Sequence, residues 1–485
     1  MLRAHQVGEG RENMAEKVSK NKVKFKWVWI AVAIVLILVG QFGPLWSPDL
    51  SREGQSAIMV LLAAVVMWAT EALPLPITSL VMVALCGFLG VAAYNTIWAA
   101  TFTSSLWMFV GIFGFTTFLG VSTFPQRLIA MVVRMTKGNI NLVILGFMVI
   151  SAIISTVMSN IALTAIMMGF AASLLRAAGA EKGKSNMGRC LALAIPFAVM
   201  FGGCLLPSGT PINVVVLGLA ESACGVTITF AEWFGYTIIP VALSLVACWF
   251  ILIKVYKPEP LSDETVKKFL DEVSALPPMD FKEKFNIGVL VVALVCWIAS
   301  SWLPILNTTF VALFALGLLF LPGTSMITTK QYRSESPWDI LLMMASINGI
   351  VAAMSAAGSV AWIVNMLLGV TSGMSFFALF MVISVVLAII HNFFPSGPGL
   401  AALVTAPVIG LVGAVGGNYT ATIVMLALWC ALCFLVPLDS VLLVSYAGGY
   451  YKFNEMWKGG LPVTIATMVF FSAVLLILPP MLGAA

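Results

Sequence analysis

Apolar runs of about 17 to 25 residues, long enough to cross a hydrocarbon core, recur along almost the whole chain. They fall near 27–46, 55–71, 76–93, 103–121, 190–218, 231–255, 286–303, 308–322, 338–358, 421–446 and 461–481. The pattern predicts an all-α polytopic membrane protein with about eleven transmembrane helices. Two further apolar stretches, 140–178 and 375–413, are interrupted near their middles by polar or helix-breaking residues. These are read as re-entrant hairpins or as pairs of full spans.

The positive-inside rule supplies a test of the count. Lys17, Lys20, Lys22, Lys24 and Lys26 place the N-terminus in the cytoplasm. Alternation then puts 122–139 inside with Arg127, Arg134 and Lys137, and 179–189 inside with Lys182, Lys184 and Arg189. It puts 256–285 inside among Lys254, Lys257, Lys267, Lys268, Lys282 and Lys284. It also puts 323–337 inside with Lys330 and Arg333, and 447–460 inside with Lys452 and Lys458. The outer loops hold Arg52 and almost no other basic residue. The agreement requires both interrupted stretches to return to the side they start from, and it leaves the C-terminus outside. No cleavable signal peptide precedes the first span.

Composition narrows the function classes. Of 485 residues, 61% are hydrophobic and 9% charged, against about 25% charged in a soluble domain. The net charge of +5 is too modest to indicate nucleic-acid binding. Cys430 and Cys433 form a C-x-x-C inside an apolar run with no zinc-type companions, and read as core filler. An intramembrane enzyme is disfavoured by the absence of H-E-x-x-H and G-x-S-x-G. No organic cofactor is expected.

The halves echo each other. Trp107, Asn160 and Pro207 are spaced by 53 and 47 residues, and Trp338, Asn392 and Pro437 by 54 and 45. The first unit starts outside and the second inside, so the repeat is inverted, as in secondary transporters with a midplane substrate site. Three segments break the apolar rule openly: Ser155 to Asn160, Gly202 to Asn213, and His391 to Gly399. Irregular backbone at membrane depth lines a cavity when it is tolerated at all. Its carbonyls can hold a cation, and its helix N-termini can face an anion. A kink satisfied by local Ser and Thr would explain one such segment. Three segments placed by a repeat favour a site.

The motifs support a family reading. Trp68-Ala69-Thr70-Glu71-Ala72-Leu73-Pro74-Leu75-Pro76 resembles the W-x-T-E-A-x-P-x-P signature of the divalent-anion/sodium symporter (dicarboxylate/sulfate transporter) family. Ser159-Asn160 resembles the start of its Ser-Asn-Thr hairpin tip, with Ile161 in place of Thr. Ser208-Gly209-Thr210-Pro211-Ile212-Asn213 resembles its G-[ST]-P-P-N break, with Ile212 in place of the second Pro.

The resemblance implies an elevator-type homodimer carrying di- or tricarboxylates such as succinate, malate and citrate, or sulfate, driven by Na⁺ in most members and by exchange in some. It implies a basic tail (1–26), scaffold helices (27–135 and 286–370), a cytoplasmic loop (257–285) and two transport halves (136–256 and 371–485). Na⁺ would sit on Ser155, Ser159, Asn160 and the backbone at Gly209. The spacing of Ser155 and Ser159 puts them on one helix face. The anion would meet Ser159, Asn160, Thr210, Pro211, His391 and Asn392.

The second half departs from the pattern. His391-Asn392-Phe393 stands where Ser-Asn-Thr is expected, Leu387 replaces a hydroxyl, and Val436-Pro437-Leu438-Asp439-Ser440 replaces the second Pro-Pro-Asn break. Asn392 and Asp439 are candidates for a second cation or proton site. The plainer reading is a neutral His391 capping the hairpin tip and Asp439 capping a broken helix; the functional one is that the two together replace a weakened second sodium site, since an ionised group at the bilayer centre costs about 3 kcal/mol and must face a partner or a cavity. Glu71 and Asp339, at span ends, are read as structural. An anion exchanger, a proton-coupled symporter and a sulfate or sulfonate carrier are the other readings.

Overall fold

The computed structural model describes residues 25–481 apart from 275, 304, 372 and 395. The basic tail as far as residue 24, and the last four residues, lie outside the described region. The described chain is helical, without strands, and forms two compact units.

One unit runs to Phe102 and takes in Asp339–Met366. It contains α1 (Phe25–Phe42), α2 (Arg52–Thr70), α3 (Leu75–Phe88), α4 (Tyr94–Thr101) and α16 (Trp338–Ala356). Buried Trp68 donates its indole N–H to Ser79 at 3.0 Å, which binds α2 to α3. Gln55, wholly buried, satisfies the loop after α1 by donating to Pro44 O at 3.1 Å and accepting from Trp46 N at 3.0 Å. Glu71 ends α2 in a left-handed conformation, and Asp339 sits in the first turn of α16, where a carboxylate complements the helix dipole.

The other unit holds Thr103–Trp338 and everything from Leu367 onward. Its first part comprises α5 (Ser104–Val121), α6 (Phe124–Met135), α7 (Ile140–Ser155), α8 (Asn160–Ala177), α9 (Asn186–Gly203), α10 (Pro211–Cys224) and α11 (Phe230–Tyr256). Next come α12 (Asp263–Ser274), α13 (Phe281–Ala299), α14 (Thr308–Leu319) and α15 (Thr329–Glu335). After α17 (Ser359–Thr371) it closes with α18 (Phe376–Ile390), α19 (Gly397–Ala414), α20 (Tyr419–Ala431), α21 (Ser440–Tyr446) and α22 (Met456–Met481).

Both interrupted stretches are helical hairpins, α7–α8 and α18–α19. Ser155 at the first tip bonds the carbonyl of Val199, near the end of α9, and Ser208 bonds Thr156 O. The tip therefore meets the break of the α9–α10 span rather than either end of it. Two expected spans are themselves broken: 190–218 divides into α9 and α10, and 421–446 into α20 and α21.

Several elements lie outside the sequence reading. α4 and α17 are short apolar helices that no span-length run announces. α6 and α12 are amphipathic helices inside segments read as charged loops. α6 buries Ile129, Ala130 and Val133, and α12 buries Thr265 and Phe269. The outward rings of Phe310 and Phe314, 71% and 72% exposed, suit lipid rather than water.

Candidate functional site

The first break begins where α9 stops at Gly203 and restarts at Pro211, with one 3₁₀ turn between, Pro207–Gly209. Hydrocarbon supplies no donors, so every freed carbonyl needs one from the protein. Asn213 donates to both Gly203 O and Leu206 O at 2.9 Å. Trp233 on α11 donates to Cys204 O at 2.9 Å. Thr237, one turn later, reaches Leu205 O at 3.0 Å and shares its single proton with Trp233 O. The loop thus folds tightly enough that a Cβ on Gly209 would strike Gly203 O. Only glycine admits that approach.

The tip of the first hairpin lies against this break. The Ser155 hydroxyl sits 2.6 Å from Val199 O and 2.8 Å from Asn160 Oδ1. It has one proton, so at most one of these acceptors is served at a time. A Cβ on Gly203 would meet the Asn160 amide at 2.8 Å, so that side chain lies flat on the break. Ser159 precedes α8 as its cap residue without accepting a capping bond. Ser155 and Ser159 do not share a helix face as their spacing suggests, because α7 ends at Ser155 and the tip turn separates them. The tip still gathers Ser155 and Asn160 on one side of the loop that contains Gly209. Thr210 is buried just before α10, and Pro211 is its first residue.

Sequence reasoning missed Asn213 as a site residue. Its Nδ2 clamps two carbonyls, while its Oδ1 is buried with no hydrogen-bond partner. Such an acceptor is costly unless something supplies positive charge. The signal was available, since Asn213 closes the Gly202-to-Asn213 segment. Asn213 thus belongs to the same break that the Ser155–Asn160 tip packs against.

The second break runs from Leu432 to Asp439, between α20 and α21. His391 and Asn392, in a 3₁₀ turn at the second hairpin tip, are both buried. His391 Nδ1 lies 3.0 Å from Leu432 O, while Nε2 is buried without a hydrogen-bond partner. Asn392 donates to Ala388 O at 2.5 Å and accepts from Leu435 N at 2.8 Å. It also accepts from Cys433 Sγ at 3.2 Å, so this cysteine is a tip contact as well as core filler. The Asn392 amide oxygen thereby joins tip to break, while its nitrogen bonds back to α18 and keeps a second N–H. Asp439 is the cap of α21, accepting from Val441 N at 2.8 Å.

The two constellations touch. Phe434 of the second break packs on Phe197 and Phe201 of α9, with ring centroids 4.7 and 5.1 Å apart. A Cβ on Gly397, at the start of α19, would meet Ile212 of α10 and Cys430 O. Both tips and both breaks therefore meet inside one unit. Ser155, Asn160, Thr210 and Asn392 are brought into this region, and Asp439 closes the second break as the cap of α21.

Ten helices among the described residues are long and apolar enough to cross a bilayer, and with paired hairpins and broken helices they define a multi-pass membrane protein of the transporter class. The chain belongs to the family described as the sodium:sulfate symporter transmembrane region, whose model matches residues 24–483. Among its relatives is the sodium-dependent dicarboxylate transporter SdcS of Staphylococcus saprophyticus, 24% identical over 468 residues, 90% of this chain and 89% of that one. In fold it resembles the YdaH transporter of Alcanivorax borkumensis, with TM-score 0.56 at 13% identity over 87% of this chain and 98% of that one. It also resembles MtrF of Neisseria gonorrhoeae, described with a class of antimetabolite efflux pumps, with TM-score 0.56 at 15% identity over 94% of each chain.

Proposed function

We propose that the protein carries small divalent anions, dicarboxylates such as succinate and malate foremost, together with Na⁺ across an inner membrane. The observation that carries this reading is the oxygen-lined tip of Ser155 and Asn160 against a break that holds an unpartnered Asn213 Oδ1. Ser155, Ser159, Asn160, Asn213 and the Gly209 backbone would hold the cation. Thr210, Pro211, Asn160 and the α10 N-terminus would face the anion, with His391 and Asn392 on the opposite tip. A helix end offers roughly half an elementary charge, too little for a dianion, so a co-bound cation is the natural complement. The sodium-dependent dicarboxylate naming of a relative at 24% identity supports the same choice.

The reading extends to an elevator-type homodimer, with 27–135 and 286–370 as scaffold and 136–256 and 371–485 as the moving part. The N-terminus would be cytoplasmic and the C-terminus outside. A second reading, with a proton in place of a second sodium, is favoured by His391 Nε2 and by Asp439 at the second break. The deciding experiment is uptake of succinate, malate, citrate and sulfate into proteoliposomes, with and without an inward Na⁺ gradient. Symport requires Na⁺-driven accumulation of at least one dicarboxylate. Uptake that ignores Na⁺ but is stimulated by internal anion would replace symport with exchange.

A further inference from the structure

Away from the paired breaks, an open groove of 390 Å³ runs along α8. Ala165, Gly169 and Ala172 line it along the helix, and Arg176, Lys182 and Tyr450 close its far end. The three small residues are spaced by four and three positions, so they form one face of α8. The groove begins at Ala165, about 7.5 Å along the axis from Asn160, and leads away from the hairpin tip.

The far end is cationic. Lys184 and Arg189 nearby are paired, at 2.7 Å with Glu181 and at 3.2 Å with Glu455. Among the described residues Arg176 and Lys182 have no carboxylate partner. The exposed Arg176 guanidinium donates to Ser173 Oγ at 2.9 Å. The Lys182 ammonium sits 5.9 Å from the centre of the buried Tyr450 ring, which orients the head without cancelling its charge. Two uncancelled cations at the mouth of a groove with low-dielectric walls focus field and concentrate anions. A guanidinium also binds carboxylate in a two-pronged, directional way.

We propose that this groove binds a small dianion, with Arg176 and Lys182 each taking one end of it. The site is distinct from the hairpin-tip constellation. Its role as a way-station for transported anion on the face bearing the basic loops rests on the transport reading above; binding itself does not.

The test uses the full chain in phosphatidylcholine nanodiscs with Ala172→Cys in the half-buried groove wall. Its alkylation by a water-soluble maleimide is followed by peptide mass spectrometry, which separates it from the native cysteines. Succinate, and separately sulfate, should slow alkylation about tenfold, and Arg176→Gln with Lys182→Gln should abolish that protection. No slowing in the parent background, or equal slowing after neutralisation, overturns the proposal. Slowing that needs phosphatidylglycerol in the disc, and that soluble dianion does not reproduce, assigns the cations to a lipid headgroup and also overturns it. Succinate uptake is measured on the same protein. Protection without transport would refute the functional reading while leaving the binding site standing.

Discussion

The two broken helices occupy matching places in the repeat, yet their polar groups are finished differently. In the first, the carbonyls from Gly203 to Leu206 all receive side-chain donors, and the buried group left over is an amide oxygen, Asn213 Oδ1. In the second, Leu432 O and Leu435 N are taken by His391 and Asn392, and the buried group left over is a ring nitrogen, His391 Nε2. An oxygen lone pair suits a hard cation; an imidazole nitrogen suits a proton. One left-over group lies on a break and the other on a tip, so the two halves share a backbone plan but not the device that finishes it.

The largest expected effect comes from Asn213→Leu, which strands the buried Gly203 carbonyl at about 1–3 kcal/mol and leaves Leu206 O with the Gly209 N–H alone. Uptake should fall by more than tenfold and the thermal midpoint should drop; normal uptake would mean that the clamp is dispensable. Next are Ser155→Ala and Asn160→Ala, which should raise the Na⁺ concentration for half-maximal transport about tenfold, the equivalent of roughly 1.4 kcal/mol. An unchanged sodium curve in both would remove the first tip from ion binding.

His391→Ser sharpens the contrast between the halves. Parent transport should vary with pH as this histidine takes up its proton, at fixed substrate protonation. The variant should lose that variation and gain steepness in its sodium dependence. Superimposable pH profiles would take His391 out of the mechanism.

The smallest effect concerns Glu259, in the loop after α11. Burial pushes its carboxyl up, but the N–H groups of Asn186 and Met187, its own N–H and the Ser185 hydroxyl outweigh this and hold it below the usual carboxylate range. A lowered folded value means the capping contribution is present above the ordinary carboxylate pKa and is lost as pH falls through the folded value. Melting of Glu259→Gln should therefore differ from the parent at neutral pH and converge with it in acid.

Much of this was written in the pattern of apolar runs, because hydrocarbon makes every Ser, Asn, Gly or Pro at depth conspicuous. Ser159-Asn160, Pro207 to Pro211 and His391-Asn392 stood out for that reason, and each marks a real helix break. α4 and α17 did not stand out, being too short to register as spans. α6 and α12 were hidden by their own charges, which serve as topology markers while an apolar face buries Ile129 or Phe269. The clamps were illegible for a different reason. Trp233 and Thr237 serve carbonyls 29 and 32 residues earlier, and His391 meets Leu432 across 41 residues. No local periodicity encodes such partnerships.

Phe434 carries a consequence for efficiency. A ring clasped by Phe197 and Phe201 at 4.7 and 5.1 Å leaves only by opening a void of its own size. Emptying an aromatic site of this kind costs about 3–5 kcal/mol, so a state in which the breaks part company would be populated roughly a hundredfold to a few thousandfold less than the joined one. An ion slipping through with no cargo aboard would need just such a parted state. On the proposed symport, the clasp would guard the gradient by packing alone, through one apolar ring in the second break.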